Sequence, residues 1–418
     1  MVLTQALLRW RRADSNRRPP ACKSTTGNLT TSVDARMPWS GYSQESHGCH
    51  VATGHAGSRT ASVLPRHRQP NRAEQKNAPS SDSLSFAPPM RDVFLVGAGF
   101  SKAISPVMPT LQELGEAVNL PRAEGSAPSE AQETDFESAL TLLAQDQPWL
   151  PAGDNLKNRA SFLEASKQIA GHLSEMQKRV LSESPPSWLL KLVQWWMDTR
   201  CTVITTNYDV LIERAFKELR NTGNHKGLYS VPIVHALSRE GAILGGGVIG
   251  PFELLKLHGS LNWYYSGRES YFGETIFDAE VPTGWSTSSQ DLMEEVRWAI
   301  SDKTPLVIPP TFGKSSFFQH ETILTIWQKA WRAVTNADRL TCVGYSLPPS
   351  DLNMVHLLRG VSFSSGQVVV VNRNPDALDH YRRLLPGIEV HNPGKGSWEI
   401  ADFVNNFLAE GGTVRDSD

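Results

Sequence analysis

Short, continuous apolar runs alternate along the chain with segments whose apolar residues recur at helical spacing. Such runs are typical of parallel strands that are buried on both faces. The strands expected from these runs lie at 93–96, 201–205, 254–257, 305–309, 339–344, 368–371 and 388–391. This alternation of strands and helices predicts an α/β fold with a doubly wound parallel sheet.

The residues between the first two predicted strands are mostly of helical pattern. Thr110 and Glu113 have the spacing of a capping box at a helix start. Trp188 and Trp196 lie on one apolar helix face, and we interpret both as core residues. Insertions into the sheet domain are expected at about 115–199 and 220–300, the second with a Gly-rich connector at 220–250 and a smaller module at 266–300.

The first 89 residues differ in composition from the rest of the chain. They contain 12 Lys and Arg against 5 Asp and Glu, whereas the remainder contains 29 against 38. The segment is rich in Arg, Ser and Pro without a sustained period, which is typical of disorder. It is a basic tail, an organellar transit peptide or upstream sequence that is not translated. Because Met90 directly precedes the first strand, we favour translation from Met90, with a real tail as the alternative.

The totals for the whole chain argue against several classes of protein. Lys and Arg number 41 and Asp and Glu 43, which does not favour direct nucleic-acid binding. No apolar run approaches the roughly 20 residues of a membrane-spanning helix. Cys22, Cys49, Cys201 and Cys342 are far apart, so neither a zinc site nor a disulfide framework is expected. A reducing, cytoplasmic compartment is therefore the default.

The first predicted strand ends at a glycine-rich turn, Gly97-Ala98-Gly99. Glycines at this point let the backbone approach a phosphate group closely. A helix starting near Ser101 would direct its N–H groups at the same anion. The residues by themselves are equally compatible with an ordinary strand-to-helix turn.

Polar residues also follow two other predicted strands. Asn207 and Asp209 would face the same crevice as the glycines, because the carboxyl ends of parallel strands share one edge of a sheet. Both residue types also cap helices, so a purely structural role is the alternative. His258 stands at a strand end beside a glycine, a good position for proton transfer near neutral pH, although a lone histidine is more often structural.

These motifs together resemble the sirtuin family, specifically its bacterial sirtuin-like branch. The resemblance covers the chain from Met90 to about Phe407. Five motifs carry it in order: Gly97-Ala98-Gly99-Phe100-Ser101, Thr206-Asn207-Tyr208-Asp209, Lys256-Leu257-His258-Gly259-Ser260, Gly344-Tyr345-Ser346 and Val371-Asn372. It implies a Rossmann-like doubly wound parallel sheet at 90–407 with a smaller, mainly helical inserted module, followed by a tail at 408–418.

The resemblance also implies an NAD site and a role for each residue. The pyrophosphate would be held by Gly97, Ala98, Gly99 and Ser101. The phosphates and the adenosine ribose would contact Gly344 and Ser346, and the adenosine side would contact Asn372. Asn207 and Asp209 would shape the nicotinamide-ribose pocket, with Thr206 also in contact with NAD. The catalytic residues would be Asn207, which orients a water molecule, and His258, which accepts its proton.

Two departures from the family distinguish its branches. Protein-deacetylating sirtuins carry a four-cysteine zinc module and a Pro-Asp-Phe-Arg stretch, whereas this chain lacks those cysteines and has Pro109-Thr110-Leu111-Gln112 instead. The resemblance therefore implies an NAD hydrolase without zinc, of the kind that depletes NAD in bacterial antiphage defence. A protein deacylase, an ADP-ribosyltransferase and a non-catalytic NAD or ADP-ribose sensor are the alternatives.

An enzyme that depletes NAD has to be restrained at rest. We expect a homo-oligomer and a separate sensor protein, either an ATPase or helicase or an Argonaute-like protein. These partners are implied by the resemblance alone.

Overall fold

The computed structural model describes residues 90–125, 136–220, 225–231, 233–236, 242–244, 250–266, 275–279, 285, 303–311, 320–363, 366–393 and 399–413. The strands are β1 (Asp92–Val96), β2 (Thr202–Thr205), β3 (Val234–Ala236), β4 (Ala242–Leu244), β5 (Glu253–Lys256), β6 (Gly259–Tyr265), β7 (Phe277–Ala279), β8 (Thr304–Val307), β9 (Arg339–Val343), β10 (Gln367–Val371) and β11 (Val390–His391). The helices are α1 (Ala98–Ile104), α2 (Leu111–Ala117), α3 (Phe136–Ala144), α4 (Ala152–Leu181), α5 (Ser187–Thr199), α6 (Leu211–Arg220), α7 (Glu321–Thr335), α8 (Leu352–Leu358), α9 (Pro375–Leu384) and α10 (Ile400–Ala409).

A six-stranded parallel sheet of order β11-β10-β9-β1-β2-β5 forms the centre of the fold. Its strands come from the apolar runs, and all five residues of β1 and of β9 are buried. The chain leaves β1 toward β2 on one side and later returns to β9 on the other, so the strand order reverses at β1. The predicted α/β, Rossmann-like doubly wound sheet is confirmed.

Backbone hydrogen bonds between neighbouring strands continue past the strand ends, so these strands end at the same edge of the sheet. The N–H of Gly97 donates to Val343 O (3.1 Å), and the N–H of Gly344 donates to Val371 O (2.9 Å). On the other side, the N–H of Thr206 donates to Val96 O (3.3 Å). The turns after β1, β2, β9 and β10 therefore emerge side by side at one edge of the sheet.

The predicted core face of α5 packs against the sheet. Trp188, Leu189, Leu192, Val193 and Trp196 are all buried, as the pattern predicts. Trp196 meets the ring of Phe94 edge-on, with 5.5 Å between centroids. These tryptophans are core residues.

Helices α2, α3 and α4 form the helical module and surround a second, smaller hydrophobic cluster. The predicted capping box starts α2: the N–H of Glu113 donates to Thr110 Oγ1 (3.4 Å), and the N–H of Thr110 donates to Glu113 Oε2 (2.7 Å).

A second sheet of order β4-β3-β7-β6-β8 was not predicted from the sequence. Its strands are short, and they pair antiparallel except for β3 with β7. The apolar segment around His258 is divided between the two sheets: β5 belongs to the parallel sheet, and β6 starts in the second sheet after two intervening residues. His258 lies in the connection between them.

The first 89 residues, most of the predicted module at 266–300, about half of the Gly-rich connector and the last five residues lie outside the described part of the chain. None of the described helices is long and apolar enough to cross a bilayer.

Candidate functional site

A cavity of about 1330 Å³ opens at the edge of the parallel sheet where the strand-end turns emerge. It is larger than the ~300–1,000 Å³ of ordinary small-molecule sites, which suits an extended ligand such as a dinucleotide. Helices α2 and α3 contribute the opposite wall. Of the residues predicted for the site, the lining includes Ala98, Gly99, Ser101, Thr206, Asn207, Asp209, His258, Gly344, Ser346 and Asn372. Gly97 lies directly before α1 as its N-cap.

The two glycine turns pack against each other with no room for side chains. The N–H of Gly99 donates to Gly344 O (2.9 Å). A Cβ at Gly344, whose φ is +65°, would lie 2.3 Å from the Phe100 nitrogen, and a Cβ at Gly97 would lie 2.8 Å from Gly344 O. The contact between these turns therefore accounts for the glycines without any ligand. The N–H of Phe100 donates within its own turn, to Gly97 O, so it is not free to bind a phosphate. That this loop holds a pyrophosphate stays a prediction.

Asn207 is fixed by hydrogen bonds from its side-chain nitrogen. Its Nδ2 donates to Gly97 O (2.8 Å) and to Ser101 Oγ (2.8 Å), and Ser101 Oγ donates onward to Asp209 Oδ2 (2.7 Å). Both hydrogens of the amide are thus used inside the protein. The amide oxygen is the Asn207 atom that can accept a hydrogen bond from a bound molecule.

Asp209 makes one contact at the start of α6 and another with Ser101, and its role at a ligand site stays a prediction. Its Oδ1 accepts from the N–H of Leu211 (3.2 Å) at the start of α6, as a capping residue would, while its Oδ2 holds Ser101. Burial raises the pKa of the Asp209 carboxyl, and the Lys256 ammonium and the Ser101 hydroxyl oppose that shift. Asn207 makes no such cap, since its amide nitrogen reaches across to the β1 turn.

His258 lies between two aromatic rings at the foot of the cavity. The side chain is 5% exposed, and its ring centroid is 6.4 Å from that of Tyr208 and 6.2 Å from that of Trp327. The Tyr208 hydroxyl donates to Ile308 O (2.7 Å), and the Trp327 indole donates to Leu257 O (3.2 Å). Both neighbours are thereby anchored. The imidazole is held on the same cavity as the Asn207 amide.

The adenosine-side residues of the prediction also lie on this cavity. Asn372 follows β10, and its Oδ1 accepts from the N–H of Asn374 (2.9 Å) at the turn into α9. Ser346 is exposed, and its carbonyl oxygen lies 3.3 Å from His380 Nδ1. The structure brings both residues to the cavity, and their contacts with a nucleotide remain a prediction.

A buried network behind the cavity was missed in the sequence. Lys256 and Glu213 form an ion pair with 2.9 Å between Nζ and Oε1, and each side chain is 1% exposed. Lys256 interrupts an apolar strand, and Glu213 lies on α6, whose residues from Leu211 to Lys217 are all buried. In the sequence, this network could have been recognised from a charged residue at an otherwise apolar position of each element.

The described residues contain no group of three or more His, Cys, Asp and Glu able to hold a metal ion. Cys201 and Cys342 are both buried, and burial raises the pKa of each thiol to about 12. These two thiols therefore do not serve as thiolate nucleophiles near neutral pH.

No protein-family model matches the sequence, and no curated protein matches it. Solved structures do match. A structure of Sir2Tm bound to a propionylated peptide has 16% sequence identity and a TM-score of 0.37, with 77% of this chain and 93% of that chain covered. A structure of Sir2 with a p53 peptide and NAD⁺ has 15% identity and a TM-score of 0.35, with the same coverages of 77% and 93%. Matches at this level say nothing about activity.

Proposed function

We propose that this chain is an NAD hydrolase that cleaves the bond between nicotinamide and ribose and releases ADP-ribose and nicotinamide. One observation carries the proposal: the fixed amide of Asn207 and the imidazole of His258 share a dinucleotide-sized cavity at the carboxyl edge of the parallel sheet. That edge, at a reversal of strand order, is where nucleotides bind in open α/β sheets. The sirtuin-like motif series in the sequence supports NAD as the substrate.

The residues suit the demands of this reaction. The nicotinamide of NAD is cationic, so it leaves as a neutral molecule with the electron pair of the broken C–N bond, and positive charge develops on the ribose. The Asn207 amide oxygen accepts a hydrogen bond from a water molecule and directs its oxygen at the anomeric carbon. As the new C–O bond forms, His258 accepts the water proton. The nearby Asp209 carboxylate stabilises the developing positive charge.

Water rather than an acyl group is the proposed nucleophile. The support comes from the sequence, since the cysteines of the zinc module found in protein-deacetylating sirtuins are absent. A biological role follows by the same resemblance. The enzyme would deplete NAD in the bacterial cytoplasm during antiphage defence, restrained at rest in a homo-oligomer and triggered by a separate ATPase, helicase or Argonaute-like sensor.

Nicotinamide release by purified variants tests the assignment of the two catalytic residues. We expect Asn207→Ala and His258→Ala each to lower kcat by about 100-fold or more, the usual contribution of a general base or of an oriented nucleophile. The matched controls are Asn405→Ala and His356→Ala, which change the same residue types at exposed positions on α10 and α8. Equal activity in all four variants would refute the assignment. Transfer of ADP-ribose to protein, loss of an acyl mark, or NAD binding without turnover would instead identify one of the alternative functions.

A further inference from the structure

A buried lysine joins the two turns that carry the candidate catalytic residues. Lys256 ends β5, two residues before His258, and its side chain is 1% exposed. Its ammonium donates to the backbone carbonyl of Asp209, to that of Tyr208 (3.5 Å) and to Glu213 Oε1 (2.9 Å). Three acceptors match the three N–H donors of an ammonium group.

The carbonyls that Lys256 binds belong to the turn that carries Asn207. The N–H of Leu261 donates to Tyr208 O as well, at 2.9 Å. Lys256 and Leu261 stand on either side of His258 in the sequence. The segment that contains His258 is therefore hydrogen-bonded to the turn that contains Asn207 at two positions, Lys256 and Leu261.

The Lys256–Glu213 pair is also fixed from behind. The Tyr229 hydroxyl donates to Glu213 Oε1 at 2.5 Å, and Asn262 Nδ2 lies 3.4 Å from that hydroxyl. Burying an ion pair costs desolvation energy that apolar residues of similar volume would not incur, so such a pair is weak evidence of a contribution to stability. An apolar side chain could not make the hydrogen bonds that the Lys256 ammonium makes to the Tyr208 and Asp209 carbonyls. These bonds are therefore a reason for a lysine at this position.

We propose that Lys256 is a positioning residue, whose buried ammonium holds the backbone of Tyr208 and Asp209 so that Asn207 stays in register with His258. The inference rests on the proposed NAD cleavage, because register between the amide and the imidazole matters only if both act on one substrate. Misplacement of a reacting group by about 1 Å can cost about 100-fold in rate.

Lys256 also acts on Asp209 through its charge. Three groups from three elements face the Asp209 carboxylate: Ser101 on α1, Lys256 on β5 and Glu213 on α6. Lys256 lowers the pKa of Asp209, and Glu213 raises it by a smaller amount. Removing both charges therefore raises the pKa of Asp209, and the part of the acid limb of the kcat/KM profile that reports Asp209, beside that of the base His258, moves to higher pH.

The test is the double substitution Lys256→Met with Glu213→Gln, because a lone Lys256→Met would leave Glu213 buried without its partner and could unfold the chain. The matched control is Arg339→Met with Asp92→Asn. That change removes a second buried ion pair of the same sheet (Nε to Oδ1, 2.8 Å) at its opposite, amino edge. We expect the Lys256 variant to lose about 10- to 100-fold in kcat with KM within about threefold, together with the shifted acid limb. The control should keep both the wild-type kcat and the wild-type profile.

Crystal structures of both variants separate this inference from the proposed function. We expect the Tyr208–Asp209 peptide to move by about 0.5 Å or more relative to His258 in the Lys256 variant and not in the control. An unmoved peptide overturns the inference, as does a kcat equal to that of the control. If the wild-type protein releases no nicotinamide, the proposed function fails. The displacement of the Tyr208–Asp209 peptide in the crystal structures still decides whether Lys256 positions Asn207 relative to His258.

Discussion

Asp209 connects the start of α6 to the turn after β1 through its two carboxyl oxygens. One of its oxygens caps α6, and the other holds the Ser101 hydroxyl that accepts from Asn207. The sequence predicted Asp209 to be either a cap or a site residue; the structure shows the cap, together with a contact to Ser101, and the site role stays a prediction. Sequence pattern could not distinguish these outcomes, because the contact with Ser101 joins residues 108 positions apart.

The burial of Asp209 predicts that its contribution to the stability of the fold depends on pH. Its pKa is raised in the folded protein, so the folded state keeps a proton that the unfolded chain has already released. The contribution of Asp209 to stability therefore falls as pH rises from about 3.9, the usual pKa of an unfolded aspartate, through the raised value.

We expect Asp209→Asn to gain stability relative to the wild type over that same rise in pH, since the amide does not ionise. Thermal unfolding of the two proteins between pH 4 and neutrality measures the difference. A variant that becomes relatively less stable as pH rises would mean that Lys256 and Ser101 outweigh burial at this carboxylate. Nicotinamide release by the same variant should fall, because Ser101 loses its carboxylate partner.

At the scale of elements, the turns after β1 and β9 behave as one interlocked unit. The position of the glycine-rich turn was predicted correctly. One physical reason for glycine there is the close approach of Gly344 to Gly99 and Phe100. Sequence alone could not show this approach, because it depends on β9 lying next to β1.

Substitution of Gly344 tests that packing. We expect Gly344→Ala to cost about 2–4 kcal/mol of unfolding free energy, from a left-handed φ together with a steric clash. The matched control is Gly387→Ala, whose φ of +85° is equally unfavourable but whose Cβ would meet nothing within 4 Å. The control should cost only about 1–2 kcal/mol. Equal losses in chemical denaturation would show that the two turns can separate to accept a methyl group.

Strands formed by continuous apolar runs were predicted well, and the shortest strands were not. The runs at 93–96 and 368–371 are strands β1 and β10 because both of their faces are covered. Strands β3, β4 and β7 have three residues each, too few to show an alternating pattern. Their partners in the second sheet are set by tertiary contacts, so the turn that holds His258 was predicted as a strand end rather than as a link between two sheets.

At the scale of the whole molecule, the cavity lies between the strand-end turns of the parallel sheet and the helices α2 and α3. Leu114 and Phe136 belong to the second hydrophobic cluster and also line the cavity. Helices α2 and α3 therefore supply one wall of the cavity, and changes in their packing are expected to change its shape.

A restrained NAD hydrolase is expected to be an assembly. We predict that the mass of the full chain, measured by light scattering after size exclusion, corresponds to a homo-oligomer at rest. A monomer both with and without NAD would contradict the proposed oligomer and leave restraint to a separate sensor protein.

The product balance of NAD turnover tests the proposed hydrolysis most directly. The purified chain is incubated with NAD, alone and with a candidate sensor protein of the kind proposed above, and nicotinamide, free ADP-ribose and protein-bound ADP-ribose are quantified. The proposal predicts equal amounts of nicotinamide and free ADP-ribose, with the formation of both slowed by about 100-fold or more in Asn207→Ala. Tight NAD binding without nicotinamide release, or nicotinamide release without free ADP-ribose, would contradict it.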